Sequence, residues 1–240
     1  MGAFVKVAHR GASGHFPENT RLAFEKAIEA DADMIELDCQ QTRDGHIVVF
    51  HDERLRRTTG ASGNVRSKSL EQLKQLDVGL WKKKSFKGER VLTLEEVLAL
   101  IVGRVGLCLD IKQFNGSQPG IEIKLLFTLS HYDYLDQTIF SSFNYQCLER
   151  VREFAPEARI GLIVAKGIKE DPFAAAERLG AGSVHVQKEI VTRPFLEKAW
   201  DAGLDVHVWT VNNAHEIAKF AALGVQGVVS DYPEKLKTFA

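Results

Sequence analysis

The sequence predicts an α/β fold, a TIM-type (β/α)8 barrel of parallel strands with a small inserted subdomain after the third strand. Three observations carry that expectation. Short apolar runs alternate with amphipathic stretches of helical period along most of the chain. The 240 residues lie near the ~250 typical of such barrels. One long stretch, residues 52–90, breaks the rhythm just after the third run.

Strands are expected at FVKVAH (4–9), DMIELD (33–38), HIVVFH (46–51), GLCLDI (106–111), QTIFSS (137–142), RIGLIV (159–164), SVHVQ (183–187), LDVHVWTV (204–211) and QGVVSD (226–231). That is nine runs for eight barrel positions. The surplus is expected within 33–51, where TRDG (42–45) reads as a turn between two strands rather than a helical crossover. Helical patterns lie at PENTRLAFEKAIEA (17–30), LTLEEVLALIV (92–102), NYQCLERVREFA (144–155), DPFAAAERLG (171–180), TRPFLEKAWDAG (192–203) and NAHEIAKFAALG (213–224). Several end on glycine, as helix C-termini often do. The expected organisation is one barrel domain over 1–240. Within it 52–90 forms an inserted cap beside His51, with one short helical pattern, SLEQLKQL, and a basic end. No internal repeat or low-complexity segment is evident.

Apolar residues make up 45% and charged residues 26% of the chain, an ordinary globular balance. A net charge of -1 excludes a broad basic field, so nucleic acid is not an expected partner. Cys39, Cys108 and Cys147 are odd in number and far apart, which gives no disulfide framework and suits a reducing compartment. The chain shows no basic n-region leading an apolar h-region and no run near the roughly 20 apolar residues that span a bilayer. A cytoplasmic protein without stable membrane association is the expectation, with homo-oligomerisation left open.

Period-two alternation names the faces of each strand. Val206 and Val208 oppose Asp205, His207 and Trp209; Ile35 and Leu37 oppose Met34, Glu36 and Asp38; Leu107, Leu109 and Ile111 oppose Cys108, Asp110 and Lys112. Helices cover the outside of a barrel, so the aliphatic face is the outer one and the charged face points inward. Glu36, Asp38, Asp110 and Lys112 then stand at C-terminal strand ends, with His9 and His51 at the ends of two others. Barrel active sites lie at that end. Ionised groups there are costly unless paired or bound to a metal. Three converging carboxylates raise one another's pKa unless a cation neutralises them, and an all-oxygen set suits one hard divalent ion, Mg²⁺ or Ca²⁺. The competing reading is a set of buried structural ion pairs, Lys112 with Asp110 for instance. Six ionisable groups gathered at four strand ends favour the functional one.

HRG (9–11), PENT (17–20), IELD (35–38), TRDG (42–45), HD (51–52), RTTG (57–60), LTLEEVL (92–98), LDIK (109–112), SSF (141–143), VWTVN (208–212) and SDYP (230–233) together resemble the glycerophosphodiester phosphodiesterases, in order and over nearly the whole chain. The resemblance implies a small-molecule glycerophosphodiester as substrate, hydrolysed to sn-glycerol 3-phosphate and an alcohol. Carried over, it makes His9 and His51 the general acid–base pair. It makes Glu36, Asp38 and Asp110 ligands of one divalent cation, and it places Arg10 and Lys112 on the phosphate. Two positions depart from the family pattern. Asp110 stands where glutamate is usual, so its metal contact is expected to be longer or water-bridged. Leu92 replaces proline and is expected to affect only a helix start.

A phosphodiester carries a negative charge, so its hydrolysis needs that charge neutralised and a proton for the departing alkoxide. Histidine supplies protons near neutral pH. Either water or the substrate's own glycerol hydroxyl can attack, the latter through a cyclic phosphate. Gly11 and Gly14 are expected to let the backbone approach the ligand. Asn19 reads equally as a substrate contact or a structural cap. Trp209 is expected to pack on the glycerol moiety, with a plain core tryptophan as the rival reading. His15 reads as a solvated loop residue, His185 and His207 as hydrogen-bonded interior groups, His46, His131 and His215 as surface residues, and Cys108 as filler. The Lys82–Lys84 run reads as a solvated face, with contact to an acidic membrane surface beside Leu80, Trp81 and Phe86 as the second reading. Besides phosphodiester hydrolysis, two functions compete: a lysophospholipase D-type hydrolase at membranes, and a non-catalytic phosphodiester-binding barrel.

Overall fold

Eight of the nine apolar runs become the staves of one closed sheet. In the computed structural model, which describes residues 4–114 and 120–239, these are Val5–His9 (β1), Met34–Gln41 (β2), Gly106–Ile111 (β5), Thr138–Ser142 (β6), Arg159–Val164 (β7), Ser183–Gln187 (β8), Asp205–Trp209 (β9) and Gly227–Ser230 (β10). All pair in parallel, and β1 closes the ring by pairing with both β10 and β2. The surplus run is the third. Ile47–Val49 (β3) returns antiparallel against β2 and carries Leu92–Thr93 (β4) on its other edge, outside the ring. The turn between β2 and β3 is the TRDG segment. Gly45 takes a positive φ of 88° there and donates its N–H to Thr42 O, a backbone that favours glycine.

Helices Arg21–Glu29 (α1), Leu94–Ile101 (α4), Ile121–His131 (α5), Tyr145–Phe154 (α6), Pro172–Leu179 (α7), Arg193–Asp201 (α8) and Ala214–Ala222 (α9) surround the staves. Side-chain caps set the starts of all of these except α5, which begins after Gly120. Thr20 accepts from Ala23 N at α1, and Thr93 forms a reciprocal capping box with Glu96 at α4. Leu92 therefore lies in a short strand against Val49 as well as before a helix start, and its side chain is buried. The α5 helix was not expected. Its sequence IEIKLLFTLSH has apolar residues on nearly every side, Ile123 and Phe127 being exposed, so no single stripe of helical period stands out.

The faces fall as the alternation requires. Ile35, Leu37, Leu107, Leu109, Ile111, Val206 and Val208 pack outward into one core with helix residues such as Phe24, Leu98 and Leu148. Inside the barrel, Val7, Met34, Cys108, Ile139 and Val229 make a separate plug. The polar ends of the staves stand above that plug.

The segment after β3 has its own small core. Val48 and Phe50 turn away from the barrel to meet Leu55, Val65, Leu73, Val78 and Val91, whereas Ile47 and Val49 face the main core. Its helices are the short Arg56–Thr59 (α2) and Leu70–Lys74 (α3). Residues 52–90 hold eleven Lys and Arg against five Asp and Glu. Among the described residues, no helix is long and apolar enough to cross a membrane.

Candidate active site

Strand register brings the expected groups to one level. His9 stands opposite Glu36, Glu36 opposite Cys108, and Asp38 opposite Asp110. His9, Arg10, Glu36, Asp38, His51, Asp110, Lys112 and Trp209 line one cleft at the C-terminal end of the barrel. Asn19 does not line it. Its side chain is buried behind Asp38 and donates from Nδ2 to Asp38 Oδ2 at 2.8 Å, so it braces a carboxylate. The cap of α1 is Thr20, not Asn19.

Both imidazoles are anchored in the same way. His9 Nδ1 lies 2.6 Å from Asp231 Oδ1, and His51 Nδ1 lies 2.7 Å from Asp52 Oδ1. An ionised carboxylate only accepts, so each Nδ1 carries a proton, and Nε2 is the ring nitrogen left to exchange one with a ligand. Burial works against the Asp231 charge, but His9, Asn212 and Ser13 hydrogen bonds outweigh it and hold the carboxyl at about 2. Burial likewise opposes Asp52, and Arg57 with His51 brings it to about 2. Burial lowers His51 itself below the ordinary imidazole value, against the pull of Asp38.

The carboxylates form the centre of the cleft. One oxygen from each of Glu36, Asp38 and Asp110 lies within 4.8 Å of the others. Burial, with the Asp38 charge adding to it, raises Glu36 to about 7. Burial also raises Asp110. Asp38 is lowered instead, because Lys112 and Arg10 outweigh its desolvation. Lys112 Nζ reaches Asp110 Oδ2 at 2.6 Å and Asp38 Oδ1 at 2.8 Å, and Arg10 Nε lies 3.3 Å from Asp38 Oδ2. Asp110 Oδ1 is buried without a hydrogen-bond partner. That orphaned oxygen, the all-oxygen donor set and the spacing fit a hard divalent cation, whose ligands stand ~2.0–2.6 Å from the ion. The shorter Asp110 side chain still brings an oxygen into the cluster.

Arg10 has a left-handed backbone, φ 55°, and Asn19 another, φ 58°. Two bonds hold the bend: Arg10 N donates to Glu36 Oε2 at 3.0 Å and Asn19 N donates to Arg10 O at 3.1 Å. Such non-glycine positions persist where surrounding contacts over-determine them, and they concentrate at functional sites. The two glycines are required by the packing of this loop. A Cβ on Gly11 would come within 2.6 Å of the Ala23 backbone, and one on Gly14 would strike the Tyr232 ring at 2.4 Å.

One wall of the cleft is aromatic. Trp209 Nε1 donates to His185 O at 2.7 Å, and its ring meets exposed Phe143 edge-on at 6.0 Å. Below it, Cys108 Sγ sits 3.5 Å from His185 Nδ1, and burial raises the thiol well above its ordinary value, so it is an inert floor. His15 is exposed and pairs with Glu234 at 3.1 Å. His46, His131 and His215 are exposed as well. Lys82 differs from its neighbours in donating to Ser13 O at 2.7 Å. Sequence reasoning gives no role to Asp52, Asp231, Asn212, Glu18 and Phe143, although each lies in one of the motifs quoted above. The signals were the acid directly after His51 and the acid directly after the last strand.

Comparison with known proteins gives one consistent result. The profile of the Glycerophosphoryl diester phosphodiesterase family matches residues 9–235. A glycerophosphodiester phosphodiesterase of Caldanaerobacter subterraneus subsp. tengcongensis is 40% identical over 96% of this chain and 95% of its own length. Another, from Bacillus subtilis, is 35% identical over 96% of this chain and 84% of its own. An Oleispira antarctica phosphodiesterase, solved in complex with the product sn-glycerol-3-phosphate, superposes with a TM-score of 0.91 at 31% identity, covering 97% of this chain and 94% of that one.

Proposed function

The chain belongs to the glycerophosphoryl diester phosphodiesterase family, and from that premise we propose that it hydrolyses small glycerophosphodiesters to sn-glycerol 3-phosphate and an alcohol by histidine acid–base catalysis. The observation that carries this reading is the pair of carboxylate-anchored imidazoles, His9 with Asp231 and His51 with Asp52, in one cleft with the acidic cluster. A purely binding barrel has no use for two such dyads.

Glu36, Asp38 and Asp110 would hold one divalent cation, Mg²⁺ or Ca²⁺, which when bound supplies charge neutralisation to the phosphoryl oxygens. Arg10 and Lys112 add positive charge at the same place, pre-organised by Asp38, Glu18 and Asp110. With Nδ1 committed to an aspartate, each histidine exchanges a proton through Nε2. One, starting with Nε2 unprotonated, takes the proton of the attacking hydroxyl, and the other, starting as the imidazolium, gives its own Nε2 proton to the alcohol oxygen as the P–O bond breaks. Trp209 and Phe143 would bound the apolar side of the glycerol. The segment 52–90 would form the cap on this side of the mouth, supplying Asp52 behind His51.

The test is to incubate chelated protein with glycerophosphocholine, glycerophosphoethanolamine and a lysophospholipid, then to add Mg²⁺ or Ca²⁺. Glycerol 3-phosphate should form from the two soluble diesters on adding the cation and not before. Turnover of the lysophospholipid alone would point to the membrane-lipid reading, and no turnover of any substrate would support a binding barrel.

A further inference from the structure

The inserted segment reaches the mouth through a guanidinium. Arg57, on α2, donates from Nη1 to Glu18 Oε2 and from Nη2 to Glu18 Oε1, each at 2.7 Å. From its other edge, Nε donates to Asp52 Oδ2 at 2.7 Å and Nη2 to Asp52 Oδ1 at 2.9 Å. Each carboxylate passes the contact on. Asp52 Oδ1 meets His51 Nδ1 at 2.7 Å, and Glu18 Oε1 accepts from Arg10 Nη1 at 3.0 Å. The Trp81 ring lies against the guanidinium, its centroid 5.6 Å from Cζ.

We propose that Arg57 is a positioning residue for the hydrolysis, fixing His51 and Arg10 relative to each other through Asp52 and Glu18. This rests on the roles given above to His51 and Arg10. Neither of those groups shares an element with the other: Arg10 follows β1 and His51 follows β3. Some group must set their separation, since a misplacement of about 1 Å can cost a hundredfold in rate. Only a planar fork with donors on two edges can grip two carboxylates bidentately, and arginine has that geometry where lysine does not. An exposed ion pair alone contributes little, but forked geometry within a network is the exception. Burial would push Glu18 up, and Arg57 together with Arg10 holds it below the usual carboxylate range, so the link is charged at both ends.

The test is steady-state hydrolysis of glycerophosphocholine by the full chain carrying Arg57→Ala, Arg57→Lys, Asp52→Asn, or Arg57→Ala with Asp52→Asn, each with a thermal melt. Arg57→Ala should lower kcat roughly tenfold to a hundredfold, the cost typical of removing an outer partner of a reacting group. Arg57→Lys should recover only part of that loss. The double variant should lose no more than about what the worse single variant loses, because both act through one chain of contacts. Rates within about twofold of wild type for Arg57→Ala, or losses that multiply in the double variant, would overturn the proposal. If Arg57→Ala does not fold, Arg57→Lys decides, since it keeps a positive charge and a long side chain: a wild-type rate overturns the role, and a reduced one at unchanged melting temperature supports it. His9→Ala and His51→Ala run alongside. Full activity in both removes the assigned histidine roles, whereas their inactivity beside wild-type Arg57 variants removes only the role of Arg57.

Discussion

Asp231 and Asp52 do the same work for different imidazoles, and neither is marked by periodicity. His9 and Asp231 are 222 positions apart in sequence, so no local pattern links them; only closure of the barrel between β1 and β10 brings them together. The groups that could be read from sequence, Glu36, Asp38 and Asp110 with Lys112 one residue past its strand, follow an alternation that states which way a side chain points. Loop residues such as Arg10, Asn19 and Glu18 have no such rule. Asn19 consequently reads equally as a substrate contact or a structural cap, while in the structure it braces Asp38. Replacing Asp231 by asparagine leaves the shape but removes the anion that fixes the His9 tautomer. Asp231→Asn should lower kcat roughly tenfold to a hundredfold with little change in melting temperature; kinetics beside a thermal melt check this, and a wild-type kcat would refute it. The native carboxyl at about 2 is ionised throughout the neutral range, so its stabilising contribution is present above ~4 and disappears only as pH falls toward 2.

Among the elements, the eight staves and most helices are legible because each carries a strong local period. β3 shows the limit of that legibility. HIVVFH looks like any other strand, and its place outside the ring follows from a turn too short for a crossover helix. The α5 helix fails for the opposite reason, since apolar residues on its exposed side mask the inward stripe. The glycines of the loop after β1 lie against α1 and Tyr232. Gly11 has φ 80°, and a Cβ there would fall 2.6 Å from Ala23 C. The neighbour is backbone at the start of α1 and cannot swing aside. Gly11→Ala should therefore destabilise the fold by about 2–4 kcal/mol, overpacking and left-handed strain together. Urea denaturation reads this directly, and an unchanged midpoint would contradict the packing account.

Taken as a whole, the barrel hides two titratable rings below its working end. His185 and His207 stack with centroids 5.0 Å apart and an interplanar angle of 16°, both buried. Burial pushes His207 down to about 4, and burial with the neighbouring ring pushes His185 well below the ordinary imidazole value. A base whose folded value lies below its unfolded value of ~6.5 binds more protons when unfolded, so its contribution is intact above 6.5 and is lost as pH falls toward 4. His207 alone should cost about 2 kcal/mol between pH 7 and 5. Denaturation midpoints across that interval should fall in the native chain and fall less in His207→Gln; a flat native profile would remove the effect. A different consequence follows from the two separate apolar clusters, one beneath the helices and one under the segment 52–90. His9 is mounted on the first and His51 beside the second. Partial opening of the smaller cluster, the cheaper of the two to disrupt, would carry His51 out of register with His9 while all eight staves stay closed. Given the role proposed for His51, inactivation by heat or denaturant should precede global unfolding, and activity should be lost while the barrel persists.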